Sequence, residues 1–244
     1  MARPFRAKLE ILADPEDLAR RVADWLSAVA RAKNGIFAVA LSGGSTPQRL
    51  YEYMAEPPYR EGFPWSRTHW FWGDERFVPH DDALSNYRMV RDALLSRAPI
   101  PLINVHPIPT EGVSPEAAAA AYERELKSFY GADRIDNRRP LFDVVLLGLG
   151  VDGHTASLFP GSSVLELRDR WVAQAARDDS ETRITLTYPA LESSRHVAFL
   201  ITGEKKRMAF RQLRRGDNNL PATRLNPSGE LIWFVDQATA GAET

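Results

Sequence analysis

The chain has no cysteine. That absence excludes disulfides, thiolate nucleophiles, iron–sulfur clusters and zinc sites built on cysteine. Long apolar runs are also missing, and no stretch approaches the roughly 20 residues that span a bilayer. Basic residues near the start are not followed by an apolar segment, so no secretory signal is expected and a cytoplasmic location is the reading. Neither sign of charge is in excess. The 31 Lys and Arg face 32 Asp and Glu, a formal net of −1. Such a balance gives no bulk attraction for nucleic acid. No internal repeat occurs, and no linker is long enough to separate two domains. The 244 residues are therefore expected to form a single α/β domain, 1–244. Nothing in the sequence marks a partner surface, which leaves monomer or homodimer open.

What is present is an alternation of strand and helix signals. Residues 5–12 read as an edge strand. Asp14 caps a helix with Pro15 at its first position, running to about Lys33. Residues 36–41 form a continuous apolar run suited to a parallel strand buried on both faces. A Ser42-Gly43-Gly44-Ser45-Thr46 loop follows, and Pro47 opens a helix to about Met54. Further strands are expected at 69–72, 102–105, 141–147, 171–175, 183–187, 196–201 and 231–235. Ser85 caps a helix over 86–95, and Ser114 one from Pro115 to about Tyr130. The stretch 205–215 reads as an amphipathic helix with a basic, solvated face. The alternation predicts a mostly parallel sheet flanked by helices, a three-layer Rossmann-like arrangement.

The glycine-rich turns carry the functional signal. Gly148-x-Gly150-x-x-Gly153 matches a dinucleotide fingerprint, but Pro160 arrives too soon for the helix that such a site needs. No nicotinamide cofactor is expected. The Ser42–Thr46 loop lacks the Gly-Lys-Ser/Thr ending of an ATP loop, yet a Gly-rich turn at a helix start still converges N–H groups on an anion. Asp74-Glu75-Arg76 admits two readings, a charged surface turn or a strand-end site in which Arg76 faces an anionic ligand. Open α/β sheets bind ligands outside the carboxyl ends of their strands, so three such sequences after three apolar strands imply one pocket. His154 lies in the last of these turns beside Asp152. Imidazole titrates near neutral pH and can take a proton from water. The remaining histidines lack ligand spacing, so no catalytic metal is expected. No nucleophile elbow occurs, and Ser157 is too close to His154 in sequence for a triad to be assumed.

These sequences resemble the 6-phosphogluconolactonases. The resemblance rests on Leu41-Ser42-Gly43-Gly44-Ser45-Thr46-Pro47, Trp72-Gly73-Asp74-Glu75-Arg76, Ser85-Asn86, the block 147–161, the block 183–187 and Gly203-Glu204-Lys205-Lys206. It implies a carboxylic ester hydrolase that opens 6-phospho-D-glucono-1,5-lactone to 6-phosphogluconate. That is the second step of the oxidative pentose phosphate pathway. The resemblance also implies the fold of the sugar-phosphate isomerase and deaminase superfamily. It gives His154 as general base with Asp152 beside it, and Gly43, Gly44, Ser45, Asp74, Arg76, Arg183 and Lys206 as substrate-binding residues. Glucosamine-6-phosphate deaminases resemble this family in fold and in the Gly-x-Asp-Gly-His turn, but continue toward Asn-Glu-Pro. Here the chain reads Thr155-Ala156-Ser157, which favours the lactonases. The implied partner is a sugar-phosphate lactone, with no cofactor, metal, nucleic acid or membrane.

Overall fold

A computed structural model describes residues 7–136, 138–177 and 181–241. Strand β1 (Ala7–Leu12) leads into α1 (Pro15–Ala32). The Asp14 carboxylate accepts the Asp17 N–H at 2.9 Å, an N-cap that satisfies one orphan donor of the first turn. Leu18, Val22 and Leu26 repeat at helical spacing and are fully buried. Then come β2 (Phe37–Leu41), α2 (Ser45–Met54), a short α3 (Tyr59–Gly62), β3 (Thr68–Trp72), β4 (Asp74–Arg76) and α4 (Asn86–Val90). Next are β5 (Val105–His106), α5 (Pro115–Tyr130), β6 (Phe142–Leu147), β7 (Val172–Arg177) and β8 (Glu181–Leu186). The described part ends with α6 (Tyr188–Glu192), β9 (Ser194–Ile201), α7 (Arg207–Arg215), β10 (Glu230–Asp236) and α8 (Gln237–Ala240).

Seven strands form one sheet in the order β1-β10-β9-β6-β2-β3-β5, and every neighbouring pair is parallel. The apolar runs fill its centre, with every residue of β2 and β6 buried. The chain leaves β2 toward β3 and β5, but leaves β6 toward β9 and β10. Loops from the two strands diverge at that boundary and open a crevice beyond their carboxyl ends. One charge interrupts the apolar pattern of β6. Asp143 is buried, accepts the Ala38 N–H at 2.9 Å, and meets Lys33 Nζ at 2.5 Å and Arg195 Nε at 3.2 Å. Its carboxylate is thus paired and hydrogen-bonded, as a buried charge must be.

The second sheet is small and antiparallel, in the order β4-β8-β7. It corrects three readings of the sequence. Residues 171–175 and 183–187 do supply strands, but they pair with each other outside the parallel sheet. Asp74-Glu75-Arg76 is itself a strand, paired with β8, and Asp74 and Glu75 are buried rather than set in a surface turn. The expected strand at 102–105 is a 3-10 turn at Leu102–Asn104 followed by the two residues of β5. The helix begun by Ser85 changes to a wider π-helical turn over Arg91–Leu95. The basic segment is helical from Arg207, after a 3-10 turn at Glu204–Lys206. Of the expected first strand, residues 5 and 6 lie outside the described residues.

Candidate active site

A cavity of about 270 Å³ lies at the crevice beyond β2 and β6. Gly43, Gly44, Ser45, Asp74, Arg76, His154, Arg183 and Lys206 all line it; Asp152 does not. The topology brings them together: the first three follow β2, Asp74 and Arg76 follow β3, His154 follows β6, and Lys206 follows β9. Arg183 arrives from elsewhere. It sits on β8 directly opposite Arg76 on β4.

Two buried tyrosines fix where the strand-end loops begin. The Tyr51 hydroxyl accepts the Ser42 N–H at 3.0 Å and donates to the Ser42 carbonyl at 2.9 Å. Tyr122 does the same for Trp72, at 2.8 and 3.1 Å. Burial pushes both phenols well above their usual range, so they stay protonated donors. Beyond Ser42 the loop needs glycine. A Cβ on Gly43 would collide with the Asn86 side chain, and Gly44 has φ +104°. The N-terminus of α2 follows, where unpaired N–H groups and the helix dipole favour an anion. The hydroxyls of Thr46 and Thr202 meet at 2.6 Å and close this side of the cavity.

The opposite wall is ionic. Asp74 is buried and accepts the Ser157 hydroxyl at 2.7 Å, with Arg183 Nη1 3.9 Å away. Arg183 donates to Glu181 at 2.6 Å. The Nε groups of Arg76 and Arg183 are buried and have no hydrogen-bond partner among the described residues. Such groups are rare unless something is meant to meet them. Behind this wall lies Glu75. Burial raises its pKa, although the N–H groups of Asn86, Tyr87 and Arg76 all donate to it. It therefore ties β4 to the first turn of α4. That turn carries Asn86, whose side chain donates to the Asp74 carbonyl at 2.9 Å and lines the cavity.

The turn after β6 presents His154. The Gly150 N–H donates to the His154 carbonyl at 2.8 Å, and the Gly153 N–H to the Gly150 carbonyl at 3.1 Å. A Cβ on Gly150 would overlap both the imidazole and the Asp152 carboxylate. No helix follows before Pro160, so the turn lacks the dinucleotide-binding geometry. His154 Nδ1 lies 2.5 Å from Asp152 Oδ1, and the ring packs on Phe159 with centroids 4.9 Å apart. With Nδ1 engaged, Nε2 is the nitrogen available to a ligand. Desolvation works against the Asp152 charge, but hydrogen bonds from the His154 ring and backbone outweigh it, and its pKa is lowered. Asp152 borders a neighbouring groove, so it touches the histidine without lining the cavity.

Asn86, Thr202 and Ser157 are the polar groups of this region that sequence reading did not assign. Asn86 stands in the Ser85-Asn86 block of the resemblance and after a helix cap, but neither signal gives it a role. Thr202 and Ser157 acquire their neighbours through tertiary pairing alone. The model of the family described as glucosamine-6-phosphate isomerases/6-phosphogluconolactonase matches residues 13–233. A 6-phosphogluconolactonase of Nostoc sp. is 41% identical over 245 residues, covering 98% of this chain and 99% of that one. The crystal structure of 6-phosphogluconolactonase from Thermotoga maritima superposes with a TM-score of 0.79 at 35% identity, covering 95% and 100% of the two chains. The 6-phosphogluconolactonase from Trypanosoma cruzi gives 0.87 at 30% identity, covering 99% and 98%.

Proposed function

Because the chain belongs to the family of glucosamine-6-phosphate isomerases and 6-phosphogluconolactonases, we propose that it hydrolyses 6-phospho-D-glucono-1,5-lactone to 6-phospho-D-gluconate, the second step of the oxidative pentose phosphate pathway. The whole chain, 1–244, is assigned to this task as one α/β lactonase domain. One continuous apolar core, drawing on both sheets, supports that assignment. The observation that carries the reading is the content of the cavity. A histidine tied through Nδ1 to a carboxylate shares it with three basic side chains and a helix N-terminus.

The lactone carbonyl is electrophilic, so no covalent enzyme intermediate is needed. In this reading His154 Nε2 takes a proton from water as the water oxygen bonds to C1. The carbonyl π electrons move onto oxygen, and the anion is stabilised by N–H donors of the glycine loops or by guanidinium. When the carbonyl re-forms, the bond between C1 and the ring oxygen breaks, and the imidazolium returns its proton to that oxygen. Asp152 holds the ring in place and stabilises its charged form. The phosphate sits against Gly43, Gly44, Ser45, Arg76, Arg183 and Lys206, and Asp74 accepts from sugar hydroxyls. The test compares kcat/KM for the 6-phosphorylated and the unphosphorylated lactone, each corrected for spontaneous hydrolysis. A large preference for the phosphorylated ester is expected; equal efficiency on both overturns the reading.

A further inference from the structure

Lys206 is reached by a loop with little structure of its own, since Gly203 to Lys206 contains only a 3-10 turn. What fixes this loop comes from the end of β10 and from α8. The Asp236 carboxylate is buried and caps α8 by accepting the Thr239 N–H at 2.8 Å. The same carboxylate accepts the Gly203 N–H, at 2.9 Å through one oxygen and 3.1 Å through the other. Thr239, also buried, donates its hydroxyl to the Gly203 carbonyl at 3.0 Å. That carbonyl in turn accepts the Lys206 N–H at 3.0 Å. Both backbone groups of Gly203 are therefore clamped, at a residue whose φ of +95° favours glycine. A further tie runs from the Arg207 guanidinium to the Ala238 carbonyl, at 2.8 and 3.1 Å.

Neither Asp236 nor Thr239 lines the cavity. Helix α8 has four residues and buries one of them, Thr239, completely. An ordinary cap would need only the bond to Thr239. Here Oδ1 makes that bond and also shares the Gly203 N–H with Oδ2, a charge-assisted contact that the cap itself does not require. We propose that Asp236, with Thr239, is a positioning residue for Lys206: it holds the loop after β9 so that the ammonium meets the substrate phosphate. The inference rests on the reading of Lys206 as a phosphate ligand. It adds that substrate affinity is set partly from the junction of β10 and α8, by residues that do not line the cavity.

Asp236→Asn is a discriminating probe. Asparagine still caps a helix, but its amide places an N–H donor against the Gly203 N–H. Thr239→Val removes the second tie with little change in shape. Each variant is expected to raise KM for the 6-phosphorylated lactone by about three- to tenfold with kcat held. Efficiency on the unphosphorylated lactone should stay at the wild-type value, which a general loosening of the fold would not allow. Combined with Lys206→Ala, either substitution should add nothing further. If Lys206→Ala leaves KM unchanged, the phosphate role of Lys206 fails and the inference falls with it. If Lys206→Ala raises KM but Asp236→Asn and Thr239→Val do not, or if their effects add to that of Lys206→Ala, the positioning role alone is overturned.

Discussion

Tyr51 and Ser42 exchange two hydrogen bonds, the phenol accepting from the amide and donating to the carbonyl of the same residue. Ser42 is the last residue before the glycine pair, so this exchange sets where the β2 loop departs. Tyr51→Phe keeps the ring and orphans two buried backbone groups. A loss of about 1–3 kcal/mol in unfolding free energy is expected from denaturant titration. KM for the phosphorylated lactone should rise as well, because the displaced loop carries Gly43 and Gly44.

Removal of the imidazole separates catalysis from binding. For His154→Ala a fall in kcat of about 10²–10⁴-fold is expected, the range for a general base. KM should change far less, since the proposed phosphate contacts lie on other loops. Near-normal turnover by the folded variant, after background subtraction, would reopen the assignment of this turn.

In the proposed mechanism Asp152 acts on the reaction through the ring it holds. Asp152→Asn replaces the acceptor at Nδ1 and withdraws the charge that stabilises the imidazolium. Turnover should fall by about tenfold or more with KM little altered. A variant that lost affinity instead would place Asp152 in contact with substrate.

At the far end of the sheet, His69 Nδ1 lies 2.9 Å from His106 Nε2, and Glu125 engages the other nitrogen of His106 at 2.7 Å. Burial, helped by His106, lowers the pKa of His69. The folded protein therefore binds this proton less readily than the unfolded chain, whose histidines titrate near about 6.5. Stability should be at its full value above that pH and decline as pH falls below it. Denaturant midpoints from pH 8 to 5 test the sign, and His69→Gln should flatten the slope.

The sequence was most readable where one short segment determines its own conformation. The apolar runs at β2 and β6, the cap at Asp14 and the glycine turns are of this kind. They sufficed to predict that the polar loops would gather at one end of a parallel sheet. Pairing between distant segments was not readable. Asp74, Glu75 and Arg76 have no strand pattern, and become a strand only because β8 lies against them. The side Asp152 takes is equally hidden, because the fold of a seven-residue turn decides which of two neighbours faces the cavity. Asp236 lies one residue past the expected strand at 231–235, and its tie to Gly203 needs β9 and β10 side by side.

The outermost strand β1 has its sheet partner in β10, the last strand of the sheet. On a ribosome, β1 emerges first and stays an open edge until β10 has been made. The segment that pairs with β1 also brings Asp236 to Gly203. A nascent chain stopped short of β10 would thus expose an unpaired edge, prone to joining other chains, and would hold Lys206 on an untethered loop. The strand that pairs with β1 is thus also the one that supplies the tie to Gly203.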